Sequence, residues 1–155
     1  MDTFSHGGKI FRASRELGLP TEQILDFSAN INPLGFPGGV PDVIKEHIKD
    51  IIHYPDQNQR DLLLASAKFF SVAPENVLPG NGSVELIHLI IEALRPGKVL
   101  IPSPTFSEYG HSCRSRDVRT RILEIPAPRY TVDENLMAKI AEQAGQGDLV
   151  IMCNL

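Results

Sequence analysis

The sequence predicts an α/β fold, a three-layer α/β/α sandwich around a mostly parallel sheet. From Val77 onward, short apolar runs alternate with helical stretches, which is the pattern of βαβ units. The last run, residues 148–153, is almost continuously apolar, as expected of a strand that helices cover on both faces. With 155 residues, of which 42% are hydrophobic and 22% charged, the chain is long enough to enclose one sizeable core.

Two helices are predicted ahead of the alternating region. An apolar stripe at helical spacing runs from Val40 to Ile52, while charged residues fall off that stripe. Pro55 ends this helix because proline lacks the backbone N–H that a continuing helix needs. A second helix is expected from about Gln57 to Phe70. Beyond Val77, the predicted strands are 98–101, 120–125 and 148–153, and the predicted helices are 83–94, 107–116 and 133–144.

The chain is predicted to consist of an amino-terminal arm, residues 1–39, and a body formed by residues 40–155. A helix over residues 9–17 is expected to fold the arm onto the body, and Gly18 is a fitting residue to end it. Its apolar contacts are expected from Ile10, Phe11 and Leu17.

The stretch Asn32–Pro41 is rich in proline and glycine and lies at the boundary between arm and body. Its residues suit tight turns with restricted or positive backbone angles, so an ordered crossing segment is one interpretation. A flexible linker is the other. Composition alone leaves both open.

Composition and charge exclude several classes of function. A net charge of −4 supplies no basic face for neutralising nucleic-acid phosphates, and the one arginine-rich stretch, residues 114–121, is best interpreted as a solvated helix end. Cys113 and Cys153 form no disulfide framework and lack neighbours at metal-ligand spacing, so no metal is predicted and a cytoplasmic setting fits best. No signal peptide or membrane-spanning apolar run is visible.

Chemistry is expected at Gly80-Asn81-Gly82-Ser83, which precedes a strongly apolar helix. The first turn of a helix carries unpaired N–H groups and a partial positive charge, and glycine lets an anion approach that backbone closely. A phosphate would fit there. Glu85 would repel an anion on its own side, so we expect its side chain to point away. The alternative is an ordinary Asn-Gly turn followed by a serine cap.

Three motifs together resemble the amino-terminal part of the threonine-phosphate decarboxylases: His6-Gly-Gly8, Asp26–Gly35 and Gly80–Ser83. That family consists of fold-type I pyridoxal 5'-phosphate enzymes of cobalamin synthesis, closely related to histidinol-phosphate aminotransferases. The resemblance implies the sandwich of the PLP-dependent transferase type, incomplete at its carboxyl end. It also implies pyridoxal phosphate as the cofactor, with Asn81, Gly82 and Ser83 around its phosphate.

The same resemblance assigns two aromatic residues to the cofactor. Phe106, in Pro102-Ser-Pro-Thr-Phe106, matches the ring that stacks on the pyridine, and its alternative is a core phenylalanine. Tyr54 matches a tyrosine that, in the related aminotransferases, reaches the partner subunit's cofactor phosphate, which implies a homodimer. Its alternative is a turn tyrosine beside Pro55.

Substrate contacts are implied at the amino terminus. By the resemblance, His6, Gly7 and Asn30 line the site for a small phosphorylated amino acid. Glycine allows backbone N–H donation and histidine can add a donor, which suits a dianionic substrate. Asn30 and Asn32 are also ordinary turn formers around Pro33.

The implied activity is decarboxylation of L-threonine O-3-phosphate to (R)-1-aminopropan-2-ol O-2-phosphate in the complete enzyme. No catalytic residue is assigned, because the family's cofactor-attaching lysine is expected outside these 155 residues, and the chain alone is expected to be inactive. Lys68, in Ser66-Ala-Lys68, is interpreted as a helix-surface residue. The alternatives are a histidinol-phosphate aminotransferase-like transaminase and a non-catalytic remnant of the fold.

Overall fold

The computed structural model describes residues 7–128 and 130–153. Within it, the chain forms two compact units that divide between Pro74 and Glu75. We call the unit up to Pro74 the arm unit and the unit from Glu75 onward the sheet unit, and describe each by itself. The arm unit is longer than the predicted arm, residues 1–39. The functional boundary that the sequence suggests, between residues 39 and 40, stays a prediction.

The sheet unit contains three parallel strands, β1 (Lys98–Ser103), β2 (Arg119–Glu124) and β3 (Leu149–Val150). Their spatial order is β2-β1-β3, with Lys98 opposite Arg119 and Val99 opposite Leu149 in register. The chain therefore leaves β1 toward one side, to form β2, and returns to the other side of β1 to form β3.

Helices cover both faces of this sheet, which confirms the three-layer α/β/α prediction. They are α4 (Ser83–Leu94), α5 (Ser107–Arg114) and α6 (Glu134–Gln143). Side chains alternate along β1, so Val99 and Ile101 pack in one cluster with Ile91 of α4 and Cys113 of α5. Leu100 points to the opposite face and packs with the apolar side of α6.

Local sequence explains where the sheet-unit helices begin and end. Asp133 precedes α6 and accepts a hydrogen bond from the Leu136 N–H at 2.8 Å, a side-chain cap. Helix α4 ends at Leu94, and Pro96 follows where the helix cannot continue.

Among residues 7–128 and 130–153, no helix combines the length and hydropathy needed to cross a membrane.

Lys98 and Asp148 join the beginnings of β1 and β3. The Lys98 ammonium lies 3.0 Å from the Asp148 carboxylate and donates to the Gln143 carbonyl at the end of α6 at 2.7 Å. Asp148 also accepts the Gly145 N–H at 2.8 Å. The pKa of Asp148 is lowered first by that backbone hydrogen bond and then by the one from Lys98.

These contacts predict an acid-dependent loss of stability in the sheet unit. Because the pKa of Asp148 is lower in the folded state, its stabilisation is present above the unfolded carboxyl pKa of about 3.9 and disappears as pH falls toward the folded value. We expect the urea midpoint to fall between about pH 5 and pH 3. In Asp148→Asn the fall should be smaller. An equal fall in both proteins would exclude Asp148 as the titrating group.

The arm unit is helical in the described residues. Its helices are α1 (Ile10–Leu17), α2 (Val40–His47) and α3 (Arg60–Phe70), with short 3-10 turns at Thr21–Gln23 and Ile48–Ile52. Gly18 ends α1 in the left-handed conformation, with φ of 66°, as the sequence indicates.

Most apolar side chains of the arm unit are exposed among the described residues. The stripe from Val40 to Ile52 is exposed throughout, with Ile52 79% exposed. The predicted single helix is observed as α2, which ends at His47, followed by a 3-10 turn that changes the spacing of the stripe. Likewise, Phe11 and Leu17 of α1 are 70% and 64% exposed. The packing of the arm on the body stays a prediction.

Candidate functional site

The carboxyl ends of β1 and β3 mark the first part of the candidate site. Strand order reverses at β1, and in open α/β sheets ligands bind in the crevice beyond the strand ends at such a switch point. The segment after β1 carries Thr105 and Phe106 into α5, and the segment after β3 carries Cys153.

Phe106 is half-buried and packs edge-to-face on Tyr109, with ring centroids 5.8 Å apart and planes at 89°. Such pairs restrict ring orientation. The Tyr109 hydroxyl interacts with Cys153, and the pKa of Tyr109 is raised, first by desolvation and then by that thiol. One aromatic pair therefore connects the segments that follow β1 and β3, and the role of Phe106 toward a cofactor stays a prediction.

Thr105 supplies a further polar atom here. Its hydroxyl oxygen is buried and has no hydrogen-bond partner among the described residues. A buried hydroxyl without a partner is uncommon in proteins. The position, next to Phe106 and beyond the end of β1, makes Thr105 a residue of the candidate site that the sequence did not single out.

The turn Gly80–Ser83 leads directly into α4, as predicted. Gly82 has φ of 86° and ψ of 167°, a conformation that side chains rarely adopt, and a Cβ built there meets nothing within 4 Å. Its N–H donates to the Gly80 carbonyl at 2.8 Å. Ser83 is the first helical residue and is exposed, and no side chain caps α4.

Glu85 corrects one expectation about this turn. We expected its side chain to point away from a phosphate bound at the turn, but its carboxylate lies on the turn and accepts the Asn81 backbone N–H at 2.5 Å and the Asn81 side-chain amide at 3.2 Å. Glu85 lies at the third helical position, from which a side chain reaches back to the preceding backbone. Asn81 therefore donates to a residue of its own chain.

The turn fits a phosphate group. The space beside Gly82 is open, the first-turn N–H groups of α4 have no intrahelical acceptor, and the Ser83 hydroxyl lies at the same end. The Asn81 donors already face an anion, the Glu85 carboxylate. Asn81, Gly82 and Ser83 thus have the chemistry that the sequence predicted for them, and their role toward a cofactor stays a prediction.

In the arm unit, the glycine pair is fixed to the second predicted motif. The Gly8 N–H donates to the Ser28 hydroxyl at 2.9 Å, and that hydroxyl donates to the Asp26 carboxylate at 2.6 Å. Asp26 also accepts the Ser28 N–H at 2.7 Å. The pKa of Asp26 is lowered, first by the Ser28 hydroxyl and then by its backbone N–H.

Gly7 allows this arrangement because it has no side chain. A Cβ at residue 7 would lie 1.5 Å from the Ser28 carbonyl oxygen, where no atom fits. Beside this contact, a hollow of about 460 Å³ is lined by residues of α1 and of segment 24–28. The structure therefore brings Gly7 to the Asp26–Gly35 run, which spacing alone did not predict.

The other predicted site residues are not brought together in the described residues. Asn30 is exposed and the structure gives it no side-chain contact, whereas Asn32 forms the turn that the sequence allowed, accepting the Leu34 N–H at 3.0 Å. Tyr54 is 99% exposed. His6 lies outside the described residues. The substrate roles of His6 and Asn30 and the role of Tyr54 stay predictions.

A separate groove of about 790 Å³ lies near the amino ends of the strands, between α4 and the segment before β2. Arg116 crosses it, donating to Nδ1 of His88 at 2.6 Å and to the Glu92 carboxylate at 2.9 Å. Since a guanidinium only donates, Nδ1 of His88 is the acceptor. Arg116 thus pairs within the fold and is only partly exposed, whereas the sequence suggested a solvated helix end for the 114–121 cluster.

Comparison with known proteins gives a family. Residues 22–155 match the aminotransferase class I and II family. A threonine-phosphate decarboxylase of Salmonella typhimurium is 40% identical over 108 residues, which are 70% of this chain and 30% of that protein. The chain therefore spans about a third of the length of the relatives it matches.

Solved structures agree on the fold. A histidinol-phosphate aminotransferase from Clostridium acetobutylicum, 32% identical, covers 77% of this chain and 35% of its own, with a TM-score of 0.66. A histidinol-phosphate aminotransferase from Sinorhizobium meliloti, solved in complex with pyridoxal-5'-phosphate, covers 92% of this chain and 41% of its own, with a TM-score of 0.67 at 19% identity. The fold is that of the PLP-dependent aminotransferases.

Proposed function

Because the chain belongs to the aminotransferase class I and II family, we propose that its sheet unit holds the phosphate of pyridoxal 5'-phosphate at Asn81-Gly82-Ser83. The observation that carries this proposal is the open turn at Gly82, which leads into the unpaired first-turn N–H groups of α4. Phe106 covers one face of the cofactor ring, with its orientation held by Tyr109.

When bound, the cofactor supplies an electron-poor ring that accepts the electron pair left by a departing carboxylate. The residues of this chain bind and orient. Ser83 holds the phosphate with its N–H and hydroxyl, and Phe106 keeps water from one ring face. In the arm unit, His6, Gly7 and Asn30 line the site for a small phosphorylated amino acid.

We further propose that the complete enzyme decarboxylates L-threonine O-3-phosphate to (R)-1-aminopropan-2-ol O-2-phosphate and carbon dioxide. The 40% identity to a threonine-phosphate decarboxylase supports this substrate. We place the enzyme in the cytoplasm as a homodimer in which the exposed Tyr54 reaches the partner's cofactor.

A transaminase acting on histidinol phosphate is the second candidate, because a solved enzyme of that name is 32% identical over most of the chain. The two activities separate by assay. A polypeptide that joins this chain to the rest of the family fold should release carbon dioxide from L-threonine O-3-phosphate without a keto acid. Amino transfer from histidinol phosphate to a keto acid, without carbon dioxide release, would support the transaminase instead.

Ser83→Ala tests the cofactor proposal in the same complete polypeptide. Loss of a charge-assisted hydrogen bond to phosphate should weaken pyridoxal phosphate binding by about 1.5–3 kcal/mol. The dissociation constant is measured by equilibrium dialysis, with Ser66→Ala on α3 as the matched control. Ser83→Ala binding the cofactor as tightly as the control would remove Ser83 from the site.

A further inference from the structure

The phosphate turn already contains an anion of its own chain. One oxygen of the Glu85 carboxylate, Oε2, accepts two hydrogen bonds from Asn81, at 2.5 Å from the backbone N–H and 3.2 Å from the side-chain amide. Both Glu85 and Asn81 are exposed, so solvent would satisfy these groups if they separated. The contact is therefore a local interaction that a stronger anion can replace.

From this geometry we infer that Glu85 is an internal competitor for the phosphate turn, and that cofactor phosphate displaces its carboxylate from Asn81. The inference rests on the proposed function, because it concerns the same turn. It adds a residue that sets cofactor affinity without being part of the phosphate cradle itself.

Electrostatics give the direction of the effect. A phosphate ester carries a charge of about −1.5 to −2 near neutral pH, and it would meet the single charge of Glu85 within one helical turn. Like charges at such a separation repel, so an ionised Glu85 weakens phosphate binding at the turn. The phosphate has more charge and more acceptor oxygens than the carboxylate, so it gains more from the same N–H donors and from the helix end.

Gly80 shows how closely the Glu85 side chain lies against the turn. A Cβ built on Gly80 would come within 3.0 Å of Glu85 Oε2 and 2.8 Å of a Leu86 methyl carbon. The carboxylate thus lies over the Gly80–Asn81 backbone, on the turn that the phosphate would approach. A bound phosphate and the observed Glu85 position then make competing demands on the Asn81 N–H.

Glu85→Gln tests the inference, because glutamine keeps the shape and the acceptor oxygen but removes the charge. Pyridoxal 5'-phosphate is titrated into the full 155-residue chain, and the Asn81 amide resonance is followed by NMR. We expect the dissociation constant to fall about fivefold in Glu85→Gln. In the unchanged chain, we expect the Asn81 amide to shift on binding as Glu85 leaves.

Glu142→Gln is the matched control, since it removes the same charge from an exposed position on α6. Its affinity should equal that of the unchanged chain. Equal or weaker binding by Glu85→Gln, with the Ser83 amide still shifting, would overturn this inference and leave the proposed phosphate site intact. If neither the unchanged chain nor Glu85→Gln bound pyridoxal 5'-phosphate, both this inference and the proposed phosphate site would be overturned. Far-ultraviolet circular dichroism checks that Glu85→Gln keeps its helices.

Discussion

Replacing Leu100 with alanine is expected to lower the free energy of unfolding of the sheet unit by about 2–5 kcal/mol. Leu100 has no exposed surface and packs between the sheet and α6, against Leu123, Leu136 and Ile140. Its truncation leaves a cavity at the centre of one of the two cores. The change is measured by urea unfolding followed by circular dichroism.

Leu94→Ala provides the comparison for Leu100→Ala. Leu94 is the last residue of α4 and is 60% exposed, so the same truncation there removes little buried surface. We expect a change below about 1 kcal/mol. If both variants lost the same stability, the cluster around Leu100 would not be the core that holds α6 to the sheet.

Gly7→Ala is expected to detach the amino-terminal segment from the Asp26–Gly35 run. The added Cβ would lie 1.5 Å from the Ser28 carbonyl oxygen, so the backbone has to move. Such overpacking costs about 1–3 kcal/mol. The single exposed hydrogen bond from Gly8 to Ser28 does not stabilise the segment enough to offset that cost. Hydrogen exchange at the Gly8 amide should accelerate accordingly, by about twofold to tenfold, because one exposed hydrogen bond gives no more protection than that.

Gly38→Ala controls for the loss of glycine itself. A Cβ at Gly38 meets nothing within 4 Å, so this substitution adds a methyl group without a clash. Exchange at Gly8 should then stay unchanged. Unchanged exchange in Gly7→Ala as well would contradict the contact between Gly7 and Ser28.

Much of the sheet unit could be predicted because its signals are local. The apolar run and the serine that begin α4 gave its observed bounds, Ser83–Leu94, and the βαβ pattern gave the three parallel strands. Strand β3 is shorter than expected because only Leu149 and Val150 pair as strand residues, although the Ile151 N–H still donates to Leu100. Pattern identifies an element more reliably than its ends.

The arm unit shows where periodicity is insufficient. The stripe of α2 predicts an apolar face, but periodicity does not say what covers that face, and here it is exposed. Two contacts at the site were also missed, Gly7 against Ser28 and Glu85 against Asn81. The first joins residues far apart in sequence. The second had a signal, because an acidic residue at the third helical position commonly reaches back to the preceding backbone.

An amide NMR map of this chain with pyridoxal 5'-phosphate and with pyridoxal, which lacks the phosphate, decides whether a phosphate binds at the beginning of α4. If Asn81-Gly82-Ser83 holds the phosphate, the amides of Ser83 and Val84 shift with pyridoxal 5'-phosphate and stay in place with pyridoxal. Equal shifts with both compounds, or shifts confined to residues outside the turn, would contradict a phosphate site at the beginning of α4.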